Sequence, residues 1–263
     1  AIGNLCANSE NLEGIVREGC LKTLIRYAFP STDASAVDVQ FQAIAAIRGL
    51  GTHQTIRLQL VREGALEPLI LAVQSESVEV QREVAAALCN LALAEENKVT
   101  MARSGVVGAL IALMQSRDVV RETHACACLA NLAEMVEGRT QRRLVDEGSL
   151  RYLLNLASSE DPEVRREVAR AMALFAAKRD SHAALQRAGS VPCLVRFARG
   201  EDTDSRRFGC LGIGNLAIVT ANHQELFDSG AIASLLPLAV CDDLETRRCT
   251  AFGLNNVASN EKN

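Results

Sequence analysis

The chain repeats itself with a period of about 41 residues, and this repetition constrains its fold more than any other feature. The stretch "AAALCNLALAEE" places Asn90 inside an apolar segment, and "ACACLANLAE" does the same with Asn131, 41 positions later. One marker position recurs in every period, occupied by Asn4, Gly49, Asn90, Asn131, Leu174, Asn215 and Asn256. A fixed period of this length is the sequence signature of a repeat architecture.

A glycine recurs at a nearly constant distance after each marker, and we call this set of glycines the glycine column. It consists of Gly19, Gly64, Gly105, Gly148, Gly189 and Gly230. Five positions after each glycine stands a leucine, namely Leu24, Leu69, Leu110, Leu153, Leu194 and Leu235. Columns that agree in this way over six units indicate that each unit has the same local structure.

Each unit contains three segments with helical periodicity. A short helix is predicted before the glycine, a second one after it, and a longer third one carries the marker position. An acidic residue stands 11 positions before the marker in most units, at Asp38, Glu79, Glu163, Asp204 and Glu245. Acidic side chains in a first turn stabilise the positive end of the helix dipole. Aromatic residues make up only 3% of the chain, which also favours helices over strands.

Three helices in about 41 residues, with a glycine between the first two, resemble the armadillo repeat. The resemblance covers the whole chain, 1–263, and implies an all-α, right-handed superhelical solenoid of about six three-helix repeats in a single array. Aliphatic repeats without tryptophan are closest in character to vacuolar and organelle-tethering armadillo scaffolds, followed by the β-catenin type. The expected boundaries are a partial unit at 1–8, repeats at 9–53, 54–94, 95–135, 136–178, 179–219 and 220–260, and the start of a further unit at 261–263.

The same resemblance implies a ligand-binding surface. In armadillo proteins the third helices line a concave groove, and the marker asparagine faces a bound peptide. An amide can donate to and accept from a peptide backbone, so we expect a groove contact at Asn90, Asn131, Asn215 and Asn256. Alternatively, each asparagine bonds neighbouring backbone and fixes the stacking of the repeats, and both roles can coexist.

Arginines recur eight positions before the marker. They are Arg82, Arg166, Arg207 and Arg248. A stripe of guanidinium groups predicts binding of acidic partner segments, although solvated surface arginines are the alternative. His124 and Arg170 are expected on the same surface. Nuclear-import adaptors place tryptophan four positions before the asparagine, and those positions here hold Ala45, Ala86, Ala127, Arg170, Leu211 and Phe252. An import adaptor of that type is therefore disfavoured.

Composition excludes several other classes of protein. The net charge of −4 and the scarcity of aromatic residues argue against a nucleic-acid partner. No apolar run reaches the length of about 18 residues that a membrane span needs, so any membrane tethering would act through segments beyond this chain. The nine cysteines form no CxxC pair and the four histidines are dispersed, so no metal is expected. Unpaired thiols, with Cys89, Cys128 and Cys210 in the core, predict a reducing, cytoplasmic location. The resemblance to tethering scaffolds implies a place peripheral to an organelle membrane or the cytoskeleton.

The sequence contains no enzyme signature, such as a phosphate-binding loop or a nucleophile elbow. The segment "GCLGIGNLA" lies within a third helix, so Gly209, Gly212 and Gly214 are expected to permit close helix packing there. We therefore predict a non-enzymatic scaffold or adaptor without cofactors, which binds extended or helical acidic segments of other proteins in its groove. A structural component of a cytoskeletal or axonemal assembly is the alternative, and a nuclear-import adaptor ranks lower.

Overall fold

The computed structural model describes residues 14, 16–31, 33, 36–134 and 138–259, with the backbone alone at 138–140. The predicted partial unit at 1–8 and the start of a further unit at 261–263 lie outside these residues. The described residues form α-helices and short 3-10 segments, and no strand occurs among them. The prediction of an all-α chain is confirmed. The helices fall into two compact units, 1–132 and 133–263.

The first unit contains helices α1 to α8 within its described residues. Three helices follow one another in each complete repeat, as the sequence predicts. In chain order they are α1 (Cys20–Ala28), α2 (Val37–Leu50), α3 (Gln54–Arg62), α4 (Leu66–Ala72), α5 (Val78–Leu91), α6 (Glu95–Arg103), α7 (Val106–Met114) and α8 (Val119–Ala133).

The second unit contains helices α9 to α17 within its described residues. They are α9 (Gly138–Asp146), α10 (Ser149–Leu156), α11 (Pro162–Ala176), α12 (Arg179–Arg187), α13 (Ser190–Ala198), α14 (Thr203–Leu216), α15 (His223–Asp228), α16 (Ala231–Leu235) and α17 (Leu244–Ala258). Short 3-10 segments precede α15 at Thr220–Asn222 and follow α16 at Leu236–Val240. The third helices of the repeats are α2, α5 and α8 in the first unit and α11, α14 and α17 in the second.

The glycine column marks the turn between the first and second helix of each repeat. All six glycines have a positive φ, from 72° at Gly189 to 93° at Gly64. A side chain with a Cβ is strained in this left-handed conformation, which glycine adopts freely. The backbone geometry of this turn therefore explains why the glycine recurs in every unit.

A second recurring signal starts the third helices. Thirteen positions before the marker, Ser77, Asp161, Asp202 and Asp243 each accept a hydrogen bond from a backbone N–H of the first turn. Asp118 accepts in the same way from the N–H of Arg121, at 3.0 Å. Such caps satisfy donors that have no partner within the helix. The sequence predicts the acidic residues inside the first turns, whereas this cap column is a finding of the structure.

Glycines let the helices of the second unit approach closely. A Cβ built on Gly209 of α14 would lie 2.5 Å from the backbone nitrogen of Ala198 in α13. One built on Gly212 would lie 2.6 Å from the side chain of Leu194. Because real Cβ atoms do not approach other atoms so closely, a larger residue would force the helices apart. The predicted packing role of these glycines is confirmed.

The cysteines follow the predicted placement in part. Cys128 and Cys210 are buried, but Cys89 is only half-buried, so its predicted core position is wrong. Cys89 directly precedes the marker Asn90, which places it at the border of the core rather than within it. Every described cysteine is a free thiol. Burial raises the pKa of the Cys193 and Cys210 thiols to about 11, which keeps both protonated at neutral pH.

Candidate interaction face of the third helices

One side of each third helix remains uncovered by its neighbours. In α5 this side carries Arg82 and Ala86, and in α14 it carries Arg207 and Leu211, all of them half-buried. Residues at these spacings share one side of a helix. We call this surface the third-helix face. It is described separately for α2, α5 and α8 of the first unit and for α11, α14 and α17 of the second.

The marker asparagines tie successive third helices together. In each case the side-chain Nδ2 donates to a backbone carbonyl of the preceding third helix, 42 positions earlier. The bonds run from Asn90 to Arg48 (3.0 Å), from Asn131 to Cys89 (3.4 Å), from Asn215 to Ala173 (3.2 Å) and from Asn256 to Gly214 (3.0 Å). The asparagines therefore contribute to repeat stacking, one of the two roles that the sequence left open.

The asparagines differ in how far a ligand could reach them. Asn131 and Asn215 are only 5% and 8% exposed, whereas Asn90 and Asn256 are half-buried. A carboxamide has two N–H donors and an accepting oxygen, so a stacking bond through one N–H leaves further capacity. The best placed asparagines for a ligand contact are therefore Asn90 and Asn256.

The arginine stripe lies on the third-helix face and is paired with carboxylates. The Nη2 atoms of Arg82 and Arg166 lie 2.7 Å and 2.9 Å from Asp118 and Asp202. Arg207 Nε donates to Asp243 at 2.8 Å. Each of these three aspartates caps the third helix of the following repeat. Arg248 instead pairs with Glu245 of its own helix, at 2.7 Å.

These pairs shift the acid–base properties of the carboxylates. Hydrogen bonds from Arg82 and Arg166 are the main cause that lowers the pKa of Asp118 and of Asp202 to about 2. The Arg207 guanidinium likewise lowers the pKa of Asp243. The cap aspartates are therefore ionised at neutral pH and balance the charge of the stripe. The predicted preference for acidic ligands was based on the arginines and did not include these carboxylates.

The two remaining predicted site residues also lie on third helices. Arg170 of α11 donates from Nε to Glu167 Oε2 at 2.9 Å. His124 of α8 is half-buried, one position after Thr123, which occupies the stripe position of that repeat. Both residues thus lie on the predicted helices, but their role in binding stays a prediction.

The position four residues before the marker distinguishes the two units. It holds the half-buried alanines Ala45, Ala86 and Ala127 in the first unit. In the second unit it holds Arg170, Leu211 and Phe252, of which Phe252 is 37% exposed. In the sequence, this position indicates only that a tryptophan array is absent. Its larger apolar side chains make the face of α14 and α17 chemically different from that of the first unit.

Other kinds of site have little support. No group of three or more metal-ligating side chains occurs among the residues that the structure describes. Within the same residues, no helix combines the length and apolar character needed to cross a membrane.

Comparison with known structures finds the same architecture in engineered proteins. One engineered protein, solved by the Northeast Structural Genomics Consortium, is 28% identical with a TM-score of 0.92. The match covers 98% of this chain, which spans 63% of that protein's length. A second engineered protein from the same consortium is 27% identical, with a TM-score of 0.85 over 91% of this chain and 96% of the other.

Two further comparisons concern the repeat itself. A designed armadillo repeat protein, solved in complex with the peptide (KR)4, is 22% identical with a TM-score of 0.82, over 90% of this chain and 99% of the other. At this identity the likeness concerns the fold alone. Residues 54–93 match the family model "Armadillo/beta-catenin-like repeat". The comparison with curated protein sequences gives no match.

Helical triplets, glycine turns and a shared third-helix face define a repeat protein of the α-helical class. The chain has the fold of an armadillo-repeat solenoid, and residues 54–93 match the armadillo repeat family.

Proposed function

We propose that this chain is a non-enzymatic scaffold that binds extended segments of partner proteins along its third-helix faces. The fold supports this proposal, because a designed armadillo repeat protein of the same architecture was solved with a bound peptide. The half-buried amides of Asn90 and Asn256 are the main structural support for this proposal. They combine a fixed position with spare capacity to hydrogen-bond a peptide backbone.

The spacing of the third helices suits an extended ligand. Packed helices lie about 8–10 Å apart, and an extended chain advances about 3.3 Å per residue. About three ligand residues would therefore span the distance from one third helix to the next. One half-buried amide in each unit, that of Asn90 or of Asn256, can hold such a segment at one point without reading its side chains.

The proposal includes acidic ligand segments, but with a weaker preference for them than the arginine stripe alone would predict. A ligand carboxylate at Arg82 or Arg166 would share the guanidinium with the cap aspartate already bound to it. A guanidinium has five N–H donors and can serve two carboxylates. An acidic ligand would gain hydrogen bonds from the guanidinium, but its charge would not be newly neutralised. We therefore expect the chain to bind acidic segments without a strong preference for them and with an affinity that depends little on salt.

Peptides selected from a random display library on the immobilised chain provide the probe for a test. Their affinities are then measured by fluorescence anisotropy for Asn90→Ala and Asn256→Ala. Loss of a neutral hydrogen bond is worth about 0.5–1.5 kcal/mol, so we expect roughly 2- to 12-fold weaker binding. Asn155→Ala is the matched control, because Asn155 is an exposed asparagine on the second helix α10. Equal affinities for all three variants and the original chain would contradict the proposal.

A structural role in a larger assembly is a second candidate, favoured by one observation. Leu236, Val240 and Leu244, which follow one another at intervals of four positions, are 58%, 84% and 55% exposed. Apolar side chains exposed in such a cluster often mark a protein interface. Concentration-dependent association in analytical ultracentrifugation, abolished by Val240→Ser, would favour this candidate over a monomeric scaffold.

We further propose that the chain acts in a reducing compartment such as the cytoplasm, peripheral to an organelle membrane or the cytoskeleton. The described cysteines form no disulfide bonds, which supports the reducing compartment, because disulfides form and persist mainly in oxidising environments. The peripheral position rests on the resemblance to tethering scaffolds alone. Fluorescence microscopy of the tagged chain in cells would test it.

A further inference from the structure

We infer that the third-helix face of α14 and α17 binds a large apolar side chain within an uncharged, extended segment of a partner protein. This inference rests on the proposed function and specifies its ligand in the second unit. The inference depends on the exposure, the packing and the surrounding charges of four apolar residues. They are Phe208 and Leu211 of α14, Ile218 just after α14, and Phe252 of α17.

These four side chains make this part of the face apolar. Leu211 and Phe252 occupy the same position in successive third helices, four residues before Asn215 and Asn256. Phe208 is half-buried one turn before Leu211, and Ile218 is 40% exposed in the turn that follows α14. Residues three or four positions apart lie on one side of a helix. Phe208 and Leu211 therefore share one side of α14, and Phe252 of α17 extends this apolar surface sideways.

A glycine lets the Phe252 ring lie between the two helices. A Cβ built on Gly214 of α14 would lie 2.6 Å from Cδ1 of Phe252 and 3.2 Å from Cα of Gly253. The ring of α17 thus occupies the space that any other residue at position 214 would fill. Its place is fixed by close packing on one side, while 37% of the residue remains exposed on the other. Rigid, partly exposed aromatic rings are frequent anchors of protein interfaces.

The charges around this surface are already balanced within the chain. Arg170 pairs with Glu167 at 2.9 Å, and Arg207 pairs with both Asp204 and Asp243. Arg248, one turn before Phe252, pairs with Glu245 at 2.7 Å. A charged segment would meet no unbalanced charge of opposite sign here, so it would lose hydration without gaining a new ion pair. An uncharged segment avoids this loss. Burial of apolar surface is then the main attraction left.

The combined features define the occupant. The amides of Asn215 and Asn256 flank the apolar residues at a distance of one helical turn, and Asn256 is half-buried. An extended backbone held near Asn256 would direct alternate side chains towards the helices. We therefore expect one aromatic or large aliphatic side chain of the ligand to lie against Leu211 and Phe252.

Selection from a random peptide display library on the immobilised chain tests the inference. We expect the selected peptides to share a large apolar residue in an uncharged stretch. Their affinity should fall at least 10-fold for Leu211→Ser and for Phe252→Ser. Phe227→Ser is the matched control, because Phe227 is a 50% exposed aromatic residue on the first helix α15 of the same unit. It should bind these peptides as the original chain does.

Circular dichroism checks that each variant is folded, and Leu211→Ala provides a milder change if a serine variant unfolds. Selected peptides that are rich in acidic or basic residues and lose affinity for Leu211→Ser or Phe252→Ser would overturn the inference. Peptides that the Leu211 and Phe252 variants bind as tightly as the original chain would also overturn the inference. If Asn90→Ala or Asn256→Ala weakens the binding of those same peptides, the proposed function would stand. Peptides insensitive to all of these changes would overturn both. Sedimentation as a dimer that Leu211→Ser dissociates would identify a second copy as the occupant instead, which also contradicts the inference.

Discussion

Asp118 receives the guanidinium of Arg82 from the preceding repeat and also caps its own helix. Its Oδ2 lies 2.7 Å from Arg82 Nη2, and its Oδ1 accepts the backbone N–H of Arg121 at 3.0 Å. One carboxylate thus starts α8 and links it to α5. Asp202 joins Arg166 and the N–H of Ser205 in the same way.

An aspartate that caps a helix and also pairs with an arginine of the preceding repeat should contribute more to the free energy of unfolding than an aspartate that only caps. Asparagine caps a helix about as well as aspartate, so Asp202→Asn should retain the cap and lose the charge of the pair. Asp161 caps α11 through the N–H groups of Glu163 and Val164 and provides the matched control. We expect Asp202→Asn to lower the free energy of unfolding by about 0.5–1 kcal/mol more than Asp161→Asn, since the pair is partly exposed. Urea denaturation measures the difference, and equal losses would show that the pair adds nothing.

The same pairs should make stability depend on acid pH. The pKa of Asp118 and of Asp202 is lowered from 3.8 to about 2 in the folded chain. A lowered folded pKa gives stability that is present above about pH 4 and is lost as the pH falls towards 2. We expect the thermal midpoint to decrease across this window. In Arg82→Gln and Arg166→Gln the decrease should be smaller, and an unchanged decrease would rule out the pairs as its cause.

His182 should produce a second loss of stability at milder pH. Its Nε2 lies 2.8 Å from the carbonyl oxygen of Ala176 and must donate, while its Nδ1 lies 2.9 Å from Asn222 Nδ2. That amide nitrogen also donates to Leu216 O, at 2.7 Å, so Nδ1 must accept. Protonation of the ring would place two donors against each other. Both ring nitrogens are thus satisfied only when His182 is neutral.

Burial, aided by the charge of Arg179, lowers the pKa of His182 below 6.5, against the opposing effect of the bond to Ala176. A lowered histidine pKa leaves full stability above about pH 6.5 and reduces it as the pH falls further. We expect circular dichroism melts at pH 7.5, 6 and 5 to show this trend and His182→Gln to flatten it. The control is His53→Gln, which should leave the trend intact. His53 is the half-buried histidine that precedes α3.

Replacement by alanine should have opposite effects on stability at two glycines inside helices. A Cβ at Gly209 would lie 2.5 Å from Ala198 N and 2.9 Å from Leu194 O, so the backbone of α13 would have to move. We expect Gly209→Ala to destabilise by roughly 1–3 kcal/mol, as overpacking does. Gly108 of α7 has no atom within 4 Å of a built Cβ. Gly108→Ala should stabilise by about 0.5–1 kcal/mol. Chemical denaturation compares them, and a similar sign for both changes would contradict the packing described for α14.

Sequence periodicity was sufficient to predict the helical repeats. The glycine column and the leucines that follow it depend on local geometry, because φ at a turn and the buried side of a helix are set by residues close in sequence. The cap column at Ser77, Asp118, Asp161, Asp202 and Asp243 was equally visible in the sequence, at a fixed distance from the marker, but was not recognised.

The partners of the polar side chains were decided by the tertiary structure. Arg82 and Asp118 are 36 positions apart, and Asn90 and Arg48 are 42 apart, so neither contact follows from the period of one helix. Each depends on the distance and rotation between neighbouring third helices, which packing sets. The sequence alone therefore determined that a recurring polar surface exists on the third helices. The stacking of the repeats decided that its arginines are paired with carboxylates, and that its apolar part lies at Leu211 and Phe252, where Gly214 leaves room for the aromatic ring.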